Sequence, residues 1–366
     1  MRILLVCPYD LSRPGGVQQH VIEWAAWLNQ NGHNAAITAP SAADAHSFDT
    51  GAFRQVSVHG TRYELAWMDR KKREEFQQFM DDFVPDIVHY HAVWVPFMPL
   101  QVRLLARGKQ VCTFHDTPAD GWQQPLLRME MQLASAFLSL FFDAFISVSE
   151  VQRRFLWRGR RSVISVIGNG LNAARFREGV SKDRERSSLL FLGRLEPRKG
   201  VLHALAVYEK LLPDFPSLRF LIAGDGPGRA EAERRATQIR GGAVSFLGRV
   251  TEQRKIELLR TCTLLVAPAL YGESFGIVLL EAMAAGIPVC GFRNEGYAQL
   301  ADRYDRTLFP KPGDERTLAA AATRLLRDAS YSEKLSQLGQ TVAAQFSWDS
   351  IGPEILNLYR SCLPSA

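Results

Sequence analysis

The segment Leu264-Leu265-Val266-Ala267-Pro268-Ala269-Leu270-Tyr271-Gly272-Glu273-Ser274-Phe275-Gly276-Ile277-Val278-Leu279-Leu280-Glu281-Ala282-Met283-Ala284-Ala285-Gly286-Ile287-Pro288-Val289-Cys290-Gly291 holds a complete strand–loop–helix–strand unit. Leu264–Ala267 is an apolar run of strand length. Ile277–Ala285 is helical in character and stops at Gly286, and Pro288–Gly291 predicts the next strand. Strands joined through a helix lie parallel in one sheet.

The rhythm continues outward. Upstream in the second half, strands are predicted at Leu189–Leu192, Arg219–Ala223 and Val244–Phe246, each followed by a helical stretch. The first half offers Ile3–Cys7, Ala35–Thr38, Asp86–His89, Gln110–Phe114, Ala144–Val148 and Val163–Ile167. Val17, Val21, Trp24, Ala25 and Leu28 mark one helix face, closed by Asn31-Gly32. This alternation predicts an α/β protein of two Rossmann-like, doubly wound domains facing across a cleft. The expected bounds are 1–168 and 169–347, joined within 168–188, where Gly168-Asn169-Gly170 ends a strand and a charged stretch spans 175–186. A last helix over 348–363 is free to return to the first domain.

The 366 residues exclude a small stapled module, and 46% hydrophobic with 22% charged residues excludes global disorder. Cys7, Cys112, Cys262, Cys290 and Cys362 lie far apart, with no Cys-x-x-Cys, so they read as reduced thiols of a cytoplasmic protein. The opening Met1–Pro8 is too short for a signal-peptide core, and the apolar stretch Leu133–Val148 is broken by Asp143. It falls short of the ~20 residues that cross a bilayer. The net charge of +6 favours an anionic partner, with basic clusters at Arg70-Lys71-Lys72-Arg73 and Arg158-Gly159-Arg160-Arg161. No nucleic acid is expected, since neither a helix-turn-helix nor an aromatic-basic platform is evident.

Ligands of open α/β sheets bind beyond the carboxyl ends of strands, which directs attention to the loops there. After the first strand, Pro14-Gly15-Gly16-Val17-Gln18 offers two glycines and a helix N-terminus suited to a phosphate; a plain turn is the alternative. Gly193-Arg194-Leu195-Glu196-Pro197-Arg198-Lys199-Gly200 puts three cations between glycines, as a departing diphosphate requires; a solvated basic turn is the alternative. Gly224-Asp225-Gly226-Pro227-Gly228 reads as a turn that could border a ligand. Glu273 and Glu281 are eight positions apart, the first at a strand-to-helix junction and the second expected about two turns into the helix. Acids so placed can hydrogen-bond two sugar rings, and Ser274 and Gly276 suit a helix start. An acid within Ile277–Ala285 is costly without a partner. His89-Tyr90-His91 follows a strand and Thr113-Phe114-His115-Asp116-Thr117 ends another; with no third clear ligand, a metal site is not expected. His115 suits a place beside a sugar, or a structural role.

Together, Gly15-Gly16-Val17-Gln18, Thr113-Phe114-His115, Gly193-Arg194…Arg198-Lys199-Gly200, Gly224-Asp225-Gly226-Pro227 and Glu273-x7-Glu281 resemble the retaining glycosyltransferases of family 4, which have the GT-B fold. The opening Met1–Tyr9 with Pro14–Gln18 resembles, within that family, the phosphatidylinositol mannosyltransferases of actinobacteria. The resemblance implies that the Gly16 amide meets the donor β-phosphate, with Gly15 and Gly224 lining the donor. Arg194 and Lys199 would grip the diphosphate. Glu273 with Ser274 and the Phe275, Gly276 and Ile277 backbone would hold hexose hydroxyls, Glu281 the ribose, and His115 the sugar side. The segment 248–255, with Val250, Glu252 and Lys255, falls where those enzymes hold guanine. A carboxylate at Glu252 suits guanine, whose N1–H and N2 amine lie side by side. The resemblance therefore implies GDP-mannose as donor, a lipid-linked or glycolipid acceptor, retention by attack from the face the diphosphate leaves, domain closure, and neither metal nor separate cofactor. Arg293-Asn294-Glu295-Gly296-Tyr297-Ala298-Gln299 stands where many members have Gly-Gly-x-Pro-Glu. A UDP-hexose-dependent transferase of exopolysaccharide or lipopolysaccharide synthesis is the alternative, and a nucleotide-sugar 2-epimerase of GT-B shape is one from a different class.

Trp67–Phe83 predicts a helix with Phe76, Phe79, Met80 and Phe83 on one stripe, headed by Arg70, Lys71, Lys72 and Arg73. Cations at a helix N-terminus oppose its dipole, and such clusters attract anionic lipid. The expectation is peripheral contact with the inner face of the cell membrane; packing of the stripe on the sheet is the alternative.

Overall fold

The chain divides into two units, residues 1–170 with 348–366 and residues 171–347. The computed structural model describes residues 1–13, 15–42, 46–51, 53–58, 61–92, 97–115, 124–157, 163–177 and 188–364. Pro14, Asp116-Thr117, the basic cluster 158–161 and residues 178–186 of the charged stretch lie outside them.

Unit 1 runs β1 (Arg2–Val6), α1 (Gly16–Gln30), β2 (Asn34–Ala39), β3 (Phe48–Asp49), β4 (Phe53–Val58), β5 (Thr61–Ala66), α2 (Arg70–Phe83), β6 (Ile87–His91), α3 (Met98–Leu105), β7 (Lys109–Phe114), α4 (Gln124–Leu138), β8 (Ala144–Ser147), α5 (Glu150–Arg153) and β9 (Val163–Val166). Its parallel sheet has the order β3-β2-β1-β6-β7-β8-β9. The order reverses beside β1, so the loops after β1 and β6 flank a crevice of the kind where such sheets bind ligands. Ile3, Leu4, Leu5 and Val6 are all buried, as expected of a central parallel strand covered on both faces.

Unit 2 begins with α6 (Ala174–Arg177), followed by β10 (Ser188–Leu192), α7 (Val201–Leu211), β11 (Arg219–Ala223), α8 (Arg229–Thr237), β12 (Ala243–Gly248), α9 (Glu252–Thr261), β13 (Leu264–Ala267), α10 (Ile277–Ala284), β14 (Val289–Gly291), α11 (Glu295–Arg303), α12 (Glu315–Arg327) and α13 (Ala329–Ala344). Its parallel sheet has the order β12-β11-β10-β13-β14, with the switch between β10 and β13. Loops after those two strands are therefore neighbours.

The final helix, α14 (Trp348–Cys362), belongs to unit 1 and packs on α1. Trp348 stacks on Trp24, and Trp348 Nε1 donates to Glu23 at 3.0 Å. Trp24 Nε1 donates to the Tyr359 hydroxyl at 3.1 Å. Each indole buries its ring while its N–H is satisfied.

Three local expectations differ from what is observed. β4 and β5 form an antiparallel hairpin, off the main sheet, that sequence periodicity did not mark. The helix expected from Trp67 starts at Arg70, because the Asp69 carboxylate caps it by accepting from Lys72 N at 2.8 Å. Glu281 lies about one turn into its helix, since Gly276 at φ +94 is left-handed and helical geometry begins only at Ile277.

Candidate active site

In unit 2 the loops after β10 and β13 are pressed together through glycine. Gly200 has φ +76, and a Cβ there would lie 2.0 Å from the Pro268 carbonyl oxygen. Gly224, at φ +145, brings the loop after β11 against the same cationic loop, where a Cβ would meet Gly193 O at 1.8 Å. Only glycine permits either approach.

The cations of that loop are held by acids. Glu196, buried and not singled out from the sequence, binds Arg194 at 2.7 Å and Arg198 at 2.8 Å. The Arg-x-Glu-x-Arg spacing was the signal for it. Arg198 also donates to Gly272 O at 2.9 Å, which ties the two loops together. Lys199 donates to the Glu273 carboxylate. Burial, aided by the guanidinium of Arg198, pulls the Lys199 ammonium below its ordinary value against the opposing pull of Glu273. The Arg194 side chain remains 47% exposed at the mouth of this group.

Helix α10 starts directly behind Glu273 without a side-chain cap. The amides of Leu279 and Leu280 return to Gly276 O, whereas those of Ile277 and Val278 precede any intrahelical acceptor. Ser274, Phe275, Gly276 and Ile277 thus form a helix entrance with donors to offer an oxygen-rich ligand. The entrance is braced from behind. Phe275 is buried with its ring 5.2 Å from Phe346, and Gly296 of α11 lets that helix touch the Glu273 backbone, where a Cβ would meet Glu273 O at 2.0 Å. The segment that departs from the common family pattern therefore shapes the acid's position.

The partner required for an acid within an apolar helix is Lys255 of α9. Its Nζ lies 2.5 Å from Glu281 and 2.9 Å from Glu252. Burial disfavours the Lys255 charge, but the two carboxylates outweigh it and raise the amine above its ordinary value. Arg175 lies 3.6 Å from Glu252. Val250 sits half-buried in the turn before this helix. All the expected donor residues of this unit thus fall on adjoining loops and helix starts.

In unit 1, Gly15 is the N-cap of α1 without a side-chain cap, and the Gln18 side chain folds over it. One turn on, His20 stands with its ring 5.0 Å from that of His115, and His91 Nδ1 lies 3.0 Å from His115 Nε2. The third imidazole that the sequence reading lacked is therefore His20: nitrogen atoms of His20, His91 and His115 lie within 4.8 Å of one another. Spacing could not reveal it, because α1, β6 and the end of β7 meet only in the fold. Burial pushes His115 down to about 4, and holds His20 and His91 well below their ordinary value. The cluster is neutral, with one pair closed by a hydrogen bond. His89 behind it bonds Tyr359 and Thr113, both at 2.6 Å, and is pushed down to about 3.

In α2, Phe76 and Met80 enter the core with Phe79 and Phe83 packed against it. Arg70 pairs with Glu74 at 3.0 Å, Lys71 with Glu75 at 3.8 Å, and Lys72 with Glu75 at 3.2 Å, while Arg73 is exposed. The apolar stripe of this helix is spent on the sheet. No helix among the described residues is long and apolar enough to cross a membrane.

Known proteins resemble this chain in sequence and in fold. Residues 172–342 match the glycosyl transferases group 1 family and residues 14–175 the glycosyltransferase family 4 domain. The phosphatidyl-myo-inositol mannosyltransferase of Mycolicibacterium smegmatis is 30% identical, covering 99% of this chain and 94% of its own. That of Propionibacterium freudenreichii is 30% identical, covering 98% and 94%. Among solved structures, Anabaena HepE in complex with UDP and glucose superposes with a TM-score of 0.74 at 19% identity, covering 99% of this chain and all of that one. The sucrose-phosphate synthase of Thermosynechococcus elongatus gives 0.73 at 21%, covering 98% of each. The fold is GT-B, and the chain belongs to glycosyltransferase family 4, where it is similar to the phosphatidyl-myo-inositol mannosyltransferases.

Proposed function

We propose that this glycosyltransferase moves mannose from GDP-mannose, with retention and without a metal, to a lipid-linked or glycolipid acceptor at a membrane surface. The observation that carries the reading is the pair of half-buried lysine–glutamate couples, Lys199–Glu273 and Lys255–Glu281, flanking an uncapped helix start. Each couple holds a cation and an acid in place before any ligand arrives, so little reorganisation remains at the moment of reaction.

In this reading the diphosphate engages Arg194 and Lys199, and Lys199 exchanges its carboxylate partner for phosphate oxygens. Glu273 then accepts from hexose hydroxyls while the Ile277 and Val278 amides face the sugar and phosphate oxygens. Glu281 accepts from the ribose, and Glu252 takes the paired N1–H and N2 amine of guanine. As the glycosidic bond breaks, negative charge grows on the leaving phosphate, where the fixed cations stabilise it most. That phosphate takes the acceptor hydroxyl's proton, and the hydroxyl oxygen attacks from the same face. His115, kept neutral, is assigned to the sugar side.

Isothermal calorimetry with GDP-mannose and UDP-glucose tests the donor, and proton NMR of the product tests the anomer. Preferential binding of GDP-mannose and an α-linked product are expected. Tighter binding of UDP-glucose would move the assignment to the UDP-hexose alternative. Epimerised donor formed without any acceptor would move it to a 2-epimerase.

A further inference from the structure

Helix α3 is apolar on two sides. Met98 and Val102 lie in the core, yet Phe97, Leu100 and Leu104 on the opposite side are 53%, 61% and 77% exposed. A surface helix ordinarily turns polar residues to water, so a second apolar face implies a second apolar neighbour. Helix α4 also exposes apolar side chains: Leu133 and Phe137 are 61% and 62% exposed and Leu140, just past its end, 59%, while Leu138 packs against the core. The two faces are linked at one end: Arg103 of α3 donates to Phe141 O at 3.1 Å, with its guanidinium 5.9 Å from the Phe141 ring, which in turn lies 5.1 Å from the Phe137 ring. Trp157, 47% exposed, lies close to α4, where its amide donates to the Ser135 hydroxyl at 2.8 Å.

Charge says what covers this surface. Residues 98–108 contain Arg103 and Arg107 and no acid, and residues 124–142 contain Arg128 against the single acid Glu130. Gln101 of α3 exchanges two 2.8 Å hydrogen bonds with the backbone of Met68, two residues before α2 begins, so the head of α2 with its exposed Arg70, Lys71 and Arg73 lies close to α3. Apolar side chains bordered by cations on the α3 side, with a tryptophan nearby, match the interfacial layer of an anionic bilayer. A protein partner would favour acids in the rim as readily as bases.

We propose that the membrane surface of this protein is the exposed face of α3 and α4, which inserts Leu100, Leu104, Leu133 and Phe137 among the lipids while the head of α2 contributes charge only. The proposal rests on the lipid-acceptor reading above and names the partner's chemistry, an anionic lipid surface. It divides labour between elements: α2, whose own phenylalanines are packed inward, steers the protein by salt-sensitive attraction, and α3 with α4 supplies apolar contact that salt does not weaken.

Flotation of the full chain with phosphatidylglycerol–phosphatidylcholine vesicles tests it. Leu100→Ser/Leu104→Ser and Leu133→Ser/Phe137→Ser should each lower the bound fraction at least about tenfold, with melting unchanged because the side chains already face water. Arg70→Glu/Lys71→Glu should weaken binding at low salt and approach wild type at high salt. Trp157 emission should shift to the blue on vesicles and be quenched by brominated lipid, a change absent in Trp157→Phe. Wild-type binding by the serine variants would overturn the proposal. So would conversion of a wild-type dimer to monomer by those variants, which would make the face an interface between copies. Failure of the wild type to float would overturn it as well; donor calorimetry is independent of that result, so the transferase reading stands or falls separately.

Discussion

Glu281 carries a buried negative charge through a helix that is otherwise apolar, and Lys255 is the reason it can do so. Removing one member of such a pair leaves an uncompensated charge, whereas replacing both by apolar groups restores packing. Lys255→Met should therefore destabilise unit 2 by on the order of 3 kcal/mol, and Lys255→Met/Glu281→Leu should recover most of it. Urea titration reads the stability, and calorimetry should show nucleotide-sugar binding lost in both variants. If the double variant binds donor normally, these residues have no part in the site. At Lys199 and Glu273 the expectation concerns rate: Lys199→Ala or Glu273→Gln should lower transfer by about a hundredfold or more while circular dichroism and cooperative melting persist. Near-normal turnover in either would remove the proposed electrostatics. Glu273, Lys199 and Arg194 were legible in the sequence because each lies beside a glycine in a strand-end loop. His20 was not, since its neighbours His91 and His115 are brought to it by other elements.

The loops that hold these residues depend on glycines at two levels, backbone angle and space. Gly224 combines φ +145 with a would-be Cβ 1.8 Å from Gly193 O, while Gly32, at φ +77, has nothing within 4 Å. Gly32→Ala should cost only the left-handed penalty, about 1–2 kcal/mol. Gly224→Ala adds a backbone clash that no side chain can relieve, so its melting temperature should fall much further and the cationic loop should lose its place. Equal losses in the two variants would mean that close approach of the loops contributes nothing. The βα rhythm was readable because buried parallel strands are apolar along their length. The hairpin β4–β5 escaped because its strands mix charged and apolar residues, and α2 starts late because a single carboxylate, Asp69, caps it.

For the whole molecule the three buried histidines of unit 1, with the half-buried His115 beside them, set an acid limit. Folded, His115 titrates near 4, His89 near 3, and His20 and His91 well below their ordinary value. In the unfolded chain each takes up a proton at about 6.5. Below about 6.5 the unfolded state therefore binds more protons, and stability falls as pH falls, at up to ~1.4 kcal/mol per pH unit for a single histidine. Denaturant midpoints should drop steeply from pH 7 to pH 5, and a flat profile would contradict neutral burial. The last helix participates in this limit, because Tyr359 bonds both His89 and Trp24. Tyr359→Phe leaves two buried nitrogens short of a partner and should cost about 1–3 kcal/mol.

By itself, the sequence determined the parallel α/β class and the loops that carry charge. Those features are local: a strand's apolar run, a glycine's freedom and a cation's neighbour are written in consecutive residues. Tertiary structure alone decided which acid meets which lysine, that four histidines gather in one place, and which apolar helix faces stay open to solvent. Such outcomes depend on contacts between residues far apart in the chain, and no period or spacing encodes the distance between two elements once they have packed.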